Sequence, residues 1–464
     1  MALPSTLGEL RGSEYRMRSV REELRDNLVD SLRHGREHFS GLVGYQETVI
    51  PQIENALLAG QDIVFLGERG QAKSRLIRSL VELLDEHIPV VQGSEVNDHP
   101  YRPISRFGRD LVAELGEATP ISWIERAARF GEKLATPDTS IADLIGEVDP
   151  IRVAEGRYLA DELTIHYGLL PRVNRGIFAI NELPDLAERI QVGLLNLMEE
   201  RDVQIRGFRV RLPLDLVVVA TANPEDYTNR GRIITPLKDR FGAQIRTHYP
   251  RSPEAEAIII EQERDPFSGL GIPLHVPAYM LELVAEISQL ARRTPQINQR
   301  SGVSVRLSIA NFESLCANAL RRAIVLQEPE AAPRLSDLVA LSASTLGKLE
   351  LETWEEGEDQ AVLQKLLRNA TGNVFRRHFS LSEFGPLVAR FEQGLSVEVG
   401  EMVPLERYQQ VADALPELNR ILSDLDEPRE SGAAAAALEL VLEGLHLAKR
   451  LNKTMVDGTA VYGG

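Results

Sequence analysis

A chain of 464 residues with 43% hydrophobic and 26% charged side chains has the composition of a soluble globular protein and the length for roughly three domains. Its 69 acidic against 52 basic residues give a net charge of -17, which argues against sequence-independent wrapping of nucleic acid. A single cysteine, Cys316, excludes an intrachain disulfide and a thiolate cluster, and the nine scattered histidines include no close pair at metal-ligand spacing.

The N-terminus MALPSTLGEL lacks the basic start and apolar stretch of a signal peptide, and no later segment reaches membrane-spanning length, so the expected location is cytoplasmic without membrane insertion. From about Glu14 to His34, Val20, Leu24, Leu28 and Leu32 recur one turn apart, giving an apolar stripe on a charged helix that either docks onto the main domain or binds a partner. A loop at Leu42–Gln46 follows, then a helix carrying Ile50, Ile53, Ala56 and Leu57 that breaks at Gly60. Val43 and Gly44, just upstream of what comes next, are candidates for contact with an adenine base.

Gln61 to Ser74, QDIVFLGERGQAKS, is an apolar strand run feeding a glycine loop, and Leu76, Ile77, Leu80, Val81 and Leu84 then recur at helical spacing. Strand, glycine loop and helix form the context of a phosphate-binding loop. The pattern G-x-x-x-x-G-K-[ST] is met by Gly67, Lys73 and Ser74, with Ala72 in place of the second glycine. Amides of Gly67, Glu68, Arg69, Gly70, Gln71, Ala72, Lys73, Ser74 and Arg75 are the expected phosphate cradle, provided Ala72 holds an ordinary backbone angle. Lys73 is placed to meet the β and γ phosphates of ATP, and Ser74 to bind Mg2+.

Ile88–Val91 reads as a second strand, Trp123–Leu134 as a helix, and the stretch around Tyr158–Tyr167 as a hairpin inside a long insertion. The run Ile177–Ile180 stops at Asn181 and Glu182, where a carboxylate at a strand's C-terminal end would face the phosphates. Glu182 there either orients water for attack on the γ-phosphate or caps a helix. Asn181 stands where an aspartate commonly holds Mg2+ through water, and it brings no charge unless Asp185 or another group compensates. A helix over 186–200 places Met198 in the core, and a hairpin alternates about Arg206-Gly207, either entering a channel or sealing a sheet edge. Leu216–Ala220 is the strongest buried-strand run and ends at Asn223, a side chain able to hold the attacking water. Beyond it lie Arg230, Arg232 and Arg240, the last either capping a carboxylate or reaching a neighbouring subunit's γ-phosphate.

After Pro250 the pattern turns helical over 252–262, 276–293, 305–325 and 334–347. Arg306 there either reaches back to nucleotide or is solvated, and Cys316 reads as packing. From Glu350 a mostly helical module follows, with a helix over Leu405–Leu425 and an alanine-rich final helix through Lys449.

The chain resembles the AAA+ ATPases of the magnesium chelatase I-subunit and MoxR group over roughly residues 38–345. The resemblance rests on GERGQAKS, DLIGEVD, GLLPRVNRGIFAINE, ATANPED, PLKDRFG and GVSVR, in that order. It implies a P-loop NTPase of α/β class, with an αβα core over 38–250, a helical lid over 251–349, an N-terminal helical extension over 1–37 and an additional helical module over 350–464. It implies Walker A roles for Lys73 and Ser74, the Walker B glutamate at Glu182, sensor 1 at Asn223, the arginine finger at Arg240 and sensor 2 at Arg306. Self-association into a ring, usually a hexamer, and a separate von Willebrand factor A protein as partner are also implied. The leading functional reading is an Mg2+-dependent ATPase that remodels or activates a protein partner. The alternatives are an ATP-binding scaffold with weak hydrolysis and the motor subunit of a tetrapyrrole metal chelatase.

Overall fold

In a computed structural model the described residues are 3–149, 162–204, 211–223, 232–269, 271–299, 301–352, 357–428, 432–456 and 458–464. The residues around Arg206-Gly207, the stretch from Pro224 to Arg230 and the first part of the expected hairpin at 158–167 lie outside them. The chain forms two compact units, Met1–His248 and Tyr249–Gly464. The first is a mixed α/β, P-loop-like core and the second is mostly helical, so the expected α/β class holds.

The first unit is built on five parallel strands. β1 (Ile63–Leu66) lies between β11 (Ala243–Arg246) and β10 (Leu216–Ala222), β10 pairs with β7 (Gly176–Asn181), and β4 (Phe130–Leu134) closes the far edge. Helices cover both faces, which is why the three central strands read as unbroken apolar runs. One face packs Ile63, Phe65, Ile177, Ala179, Val217 and Val219 under helices that include Val20–Arg33 and Ile50–Leu58. The N-terminal amphipathic helix is thus docked: Val20, Leu24 and Leu28 are buried, and Glu23 makes a two-pronged pair with the buried Arg129 at 2.7 and 2.6 Å.

The expected helix over Trp123–Leu134 is not there. Residues Ile121–Glu125 form β3, antiparallel to β2 (His87–Val91), and after one 3-10 turn the chain enters β4 at the sheet edge. Strand pairing overrode the local helical preference of ERAARFGEKL. Gly131 permits it: a Cβ there would stand 2.7 Å from Val173 Cγ1 and 3.2 Å from Leu169 Cδ1, so only glycine lets this edge strand approach the Leu169–Arg172 helix. β5 (Gly146–Val148) and β6 (Ile165–Tyr167) form one antiparallel pair, and β8 (Asp202–Gln204) and β9 (Arg211–Pro213) form another.

In the second unit one core runs through helices Ala278–Ala291, Val305–Leu326, Glu358–His378 and Gly432–Leu447. The expected helix over 334–347 is two 3-10 segments, Leu335–Ala340 and Leu346–Lys348, flanking a short α-helix, Leu341–Thr345. The expected single helix over Leu405–Leu425 is broken into Leu405–Ala414 and Glu417–Asp424, because Pro416 pushes Leu415 out of the helical region (φ -117, ψ 86). A small sheet, with β12 (Val397–Val399), β13 (Asn452–Val456) and β14 (Thr459–Gly463) in the order β12-β14-β13, was not foreseen. Cys316 is buried, and desolvation pushes its thiol up to about 12. Among the described residues no helix is long and apolar enough to cross a membrane.

Candidate functional site

The C-terminal ends of β1, β7 and β10 meet at one edge of the sheet, and the loop Gly67–Ala72 rises from β1 to the Lys73–Ser79 helix. Gly70 has φ +76 and Ala72 φ +53, with Gln71 between them outside the positive-φ region. Alternation of this kind turns successive N–H groups toward one concave face and makes an anion-binding nest. Ala72 therefore does not hold the ordinary angle expected for it. Its left-handed backbone costs roughly 1–2 kcal/mol that glycine would not incur.

Gly67 is required for a different reason: a Cβ there would collide with Thr247 Oγ1 and Gln71 Oε1. That amide oxygen accepts from the Glu68 N–H at 3.1 Å and from Thr247 Oγ1 at 2.7 Å, tying the loop to the residue after β11. The Tyr45 hydroxyl lies 2.8 Å from the Gln71 carbonyl oxygen and 2.9 Å from that of His248, and burial pushes its pKa up to about 12. Beside the loop lies a cavity of about 390 Å³ lined by Gly67, Glu68, Gln71, Lys238, Arg246 and Thr247.

Three of the expected residues are joined in a chain. Lys73, only 7% exposed, donates to the carbonyl of Gly67, to that of Glu68 at 2.9 Å and to Asn223 Oδ1 at 2.6 Å. Asn223 Nδ2 donates in turn to Glu182 Oε2 at 2.9 Å. The amide is oriented by its neighbours, oxygen to the ammonium and nitrogen to the carboxylate. Glu182 itself sits at φ +56, ψ +49, held by its N–H to Thr221 Oγ1 at 2.9 Å, and its side chain does not cap the turn that follows.

Asn181, at the last position of β7, donates from Nδ2 to Glu132 Oε1 at 2.5 Å, while its Oδ1 is 3.5 Å from Thr221 Oγ1. Glu132 also takes two hydrogen bonds from Arg78, at 2.9 and 3.1 Å. Ser74 is half-buried at the start of the helix. Val43 is half-buried and Gly44 exposed at φ +80 in the loop before Tyr45. Arg69 and Arg75 are exposed, and the Arg75 guanidinium approaches Gly41 closely enough to block a Cβ there.

Arg240 ends the Thr235–Arg240 helix and donates to Glu199 Oε1 at 2.7 Å, the carboxylate contact that was one of its two readings. Arg306 belongs to the second unit, where it is exposed at the start of the Val305–Leu326 helix and its N–H donates to the capping Ser304 hydroxyl.

No protein-family model matches the chain. The magnesium-chelatase subunit ChlI of Nephroselmis olivacea is 28% identical over 236 residues, 48% of this chain and 61% of that protein. The magnesium-chelatase 38 kDa subunit of Cereibacter sphaeroides is 28% identical over 235 residues, 48% of this chain and 62% of that protein. The chain is similar to the magnesium-chelatase ChlI subunits. It spans about three fifths of the length of the curated relatives it matches. Among solved structures, a chain of the complex between subunits BchI and BchD of magnesium chelatase aligns at 20% identity over 70% of this chain and 98% of that one, with a TM-score of 0.36. That likeness is too distant to bear on function.

Residues that sequence reasoning missed are Thr221, Thr247 as the tie to the Gln71 side chain, and above all Glu132. Thr221 carried a signal, since it lies between the apolar run of β10 and Asn223. Glu132 carried none once its strand was read as a helix.

Proposed function

We propose that this ChlI relative is an Mg2+-dependent ATPase that serves as the motor of a multi-subunit assembly. The observation that most supports this is the chain from Lys73 through Asn223 to Glu182 at the strand ends, beside a left-handed glycine loop. It puts a cation, a polar sensor and a carboxylate base within one hydrogen-bonded array.

ATP phosphates settle on the loop amides from Gly67 to Ser74, and Lys73 exchanges its neutral carbonyl partners for phosphate oxygens. Asn223 carries that change to Glu182, which accepts a hydrogen bond from the attacking water and orients it. The oxygens of Ser74, Asn181 and Glu182 suit Mg2+, a hard cation that keeps several waters. Among the described residues no group of three or more His, Cys, Asp or Glu side chains could hold a metal unaided, so phosphates and water would complete its shell. When bound, the ion neutralises charge on the β and γ phosphates. Ser74 would hold it directly, Asn181 and Glu182 through water.

Arg240 then acts in trans, in a ring of six, on a neighbour's γ-phosphate. Its pair with Glu199 is no obstacle, since both partners are well exposed and such pairs contribute about 0–1 kcal/mol. Arg306 is the lid's sensor. The partner is a protein with a von Willebrand factor A domain. The relatives' names favour a chelatase-type motor over general remodelling, the leading reading from sequence alone.

Steady-state phosphate release tests the chemistry. Glu182→Gln is expected to lower the rate roughly 10²–10⁴-fold while ATP binding persists; an unchanged rate overturns the assignment. A wild-type protein that binds ATP tightly but releases no phosphate at physiological Mg2+ would instead favour the scaffold reading.

A further inference from the structure

The weak point of the site is Asn181, which places a neutral amide where the metal-facing strand end calls for charge. The structure supplies a carboxylate one strand away. Glu132 lies on β4, the edge strand beside β7, with its Oε1 2.5 Å from Asn181 Nδ2. Its other contact is the Arg78 guanidinium. Arg78 stands four residues, about one helical turn, after Ser74, and residues at that spacing share a helix face. Glu132 thus touches Asn181 on one side and, through the Arg78 guanidinium, the helix that begins with Lys73 and Ser74 on the other.

The bond from Asn181 also has a direction. An amide donating to a carboxylate is fixed with its nitrogen toward Glu132 and its oxygen toward Thr221, so Asn181 and Glu132 act as one unit of charge -1. An aspartate at 181 would instead face Glu132 as a second carboxylate, a like-charge pair on adjacent strands. The two positions are coupled: charge at 132 disfavours charge at 181.

We propose that Glu132 is the positioning carboxylate for the Mg2+ of the nucleotide complex, its charge transposed from the end of β7 onto β4 and delivered through Asn181 and the water that Asn181 orients. Arg78 holds Glu132 in place before the metal arrives and is well exposed, so water readily replaces it. This inference rests on the reading of the loop as a nucleotide site.

The test is equilibrium binding of a fluorescent ATP analogue, titrated with Mg2+ and repeated in EDTA, with thermal melts of each variant. Glu132→Gln is expected to raise the Mg2+ concentration at half-effect about 10–100-fold, the usual size of an outer-shell loss, and to leave binding in EDTA unchanged. Asn181→Asp alone is expected to lower the melting temperature of the nucleotide-free protein. The double variant Glu132→Gln/Asn181→Asp, which only exchanges the amide and the carboxylate, is expected to recover both the melting temperature and the Mg2+ midpoint. An unchanged Mg2+ midpoint in Glu132→Gln overturns the proposal, and so does a double variant with the Mg2+ midpoint of Glu132→Gln. Lys73→Ala separates the two layers: if it does not weaken analogue binding, the nucleotide reading itself fails. If it does while Glu132→Gln is silent, only the role of Glu132 fails.

Discussion

The phosphate-loop end of the first unit and the core of the second both bury cations, but they satisfy them differently. In the second unit Glu256, fully buried, takes two hydrogen bonds from Arg292 at 2.6 and 2.7 Å and others from Gln289 and the Ser308 hydroxyl. Arg322 is locked onto Asp337, and Arg334 onto Glu328. Each of these charges is closed by an opposite charge. At the loop, Lys73 is nearly as buried, and it donates to two loop carbonyls and to the amide oxygen of Asn223, just past β10. Those acceptors belong to the loop and the strand end, so this cation is held at an edge of the sheet and not inside a helical core. The distinction is not simply one unit against the other, because Arg129 and Glu23 in the first unit form a closed pair of the same kind as those in the second.

The largest effect that could break this contrast is at Glu256. Glu256→Ala leaves Arg292, its side chain 10% exposed, beside no carboxylate of its own, and we expect a loss of about 3–5 kcal/mol in urea unfolding. Lys73→Ala removes hydrogen bonds to Gly67, Glu68 and Asn223 at the edge of the sheet and should cost less than Glu256→Ala, while ATP binding collapses. Equal destabilisation by the two substitutions would erase the difference between a structural and a ligand-seeking cation.

A third way to bury a titratable group is to discharge it, and His99 does so. It is 3% exposed, accepts the Tyr101 N–H on Nδ1 at 2.9 Å and sets Nε2 3.2 Å from the Tyr15 hydroxyl. Desolvation first, and the Arg175 charge second, pull its pKa down from 6.5 to about 3. In that window the unfolded chain binds a proton that the folded chain refuses, so stability falls as pH drops below about 6.5 and stops falling near the folded pKa. Between pH 7 and pH 5 the His99 contribution amounts to about 2 kcal/mol. Denaturation at the two pH values should show that increment in the wild type and its absence in His99→Gln; equal pH sensitivity in both would show that His99 is not held neutral.

How much of this was legible follows the same physics. Ile63–Leu66, Ile177–Ile180 and Leu216–Ala220 were readable because strands covered on both faces must be apolar throughout, and that also exposed the residues where each run stops. Lys73 was found by the loop pattern and Glu182 and Asn223 as run ends, and the structure joins them. β4 was not readable. As an edge strand it carries Glu132 and Lys133 between glycine and leucine, and ERAARFGEKL has helix-forming residues whose preference only pairing with β7 could defeat. Losing the strand meant losing Glu132. The hairpin of β13 and β14 had a signal in Val-Asp-Gly-Thr, which is turn chemistry, but nothing in the sequence showed that β12, more than fifty residues earlier, would be its partner.

The smallest expected effect tests whether the loop's strain belongs to its function. Ala72 sits left-handed at a cost of roughly 1–2 kcal/mol, and Ala72→Gly removes that cost. Glycine also loosens the unfolded chain, which takes back about 0.4–1 kcal/mol. The net gain should therefore be under about 1.5 kcal/mol, read as a small rise in melting temperature, with ATP affinity nearly unchanged because the amides keep their directions. A gain in stability joined to a clear loss of affinity would mean that alanine's stiffness, and not only the backbone angle, holds the nest open. A loss of stability would mean that residue 72 is not left-handed at all, and the loop would then lack the alternation that makes Lys73 and its neighbouring amides a phosphate cradle.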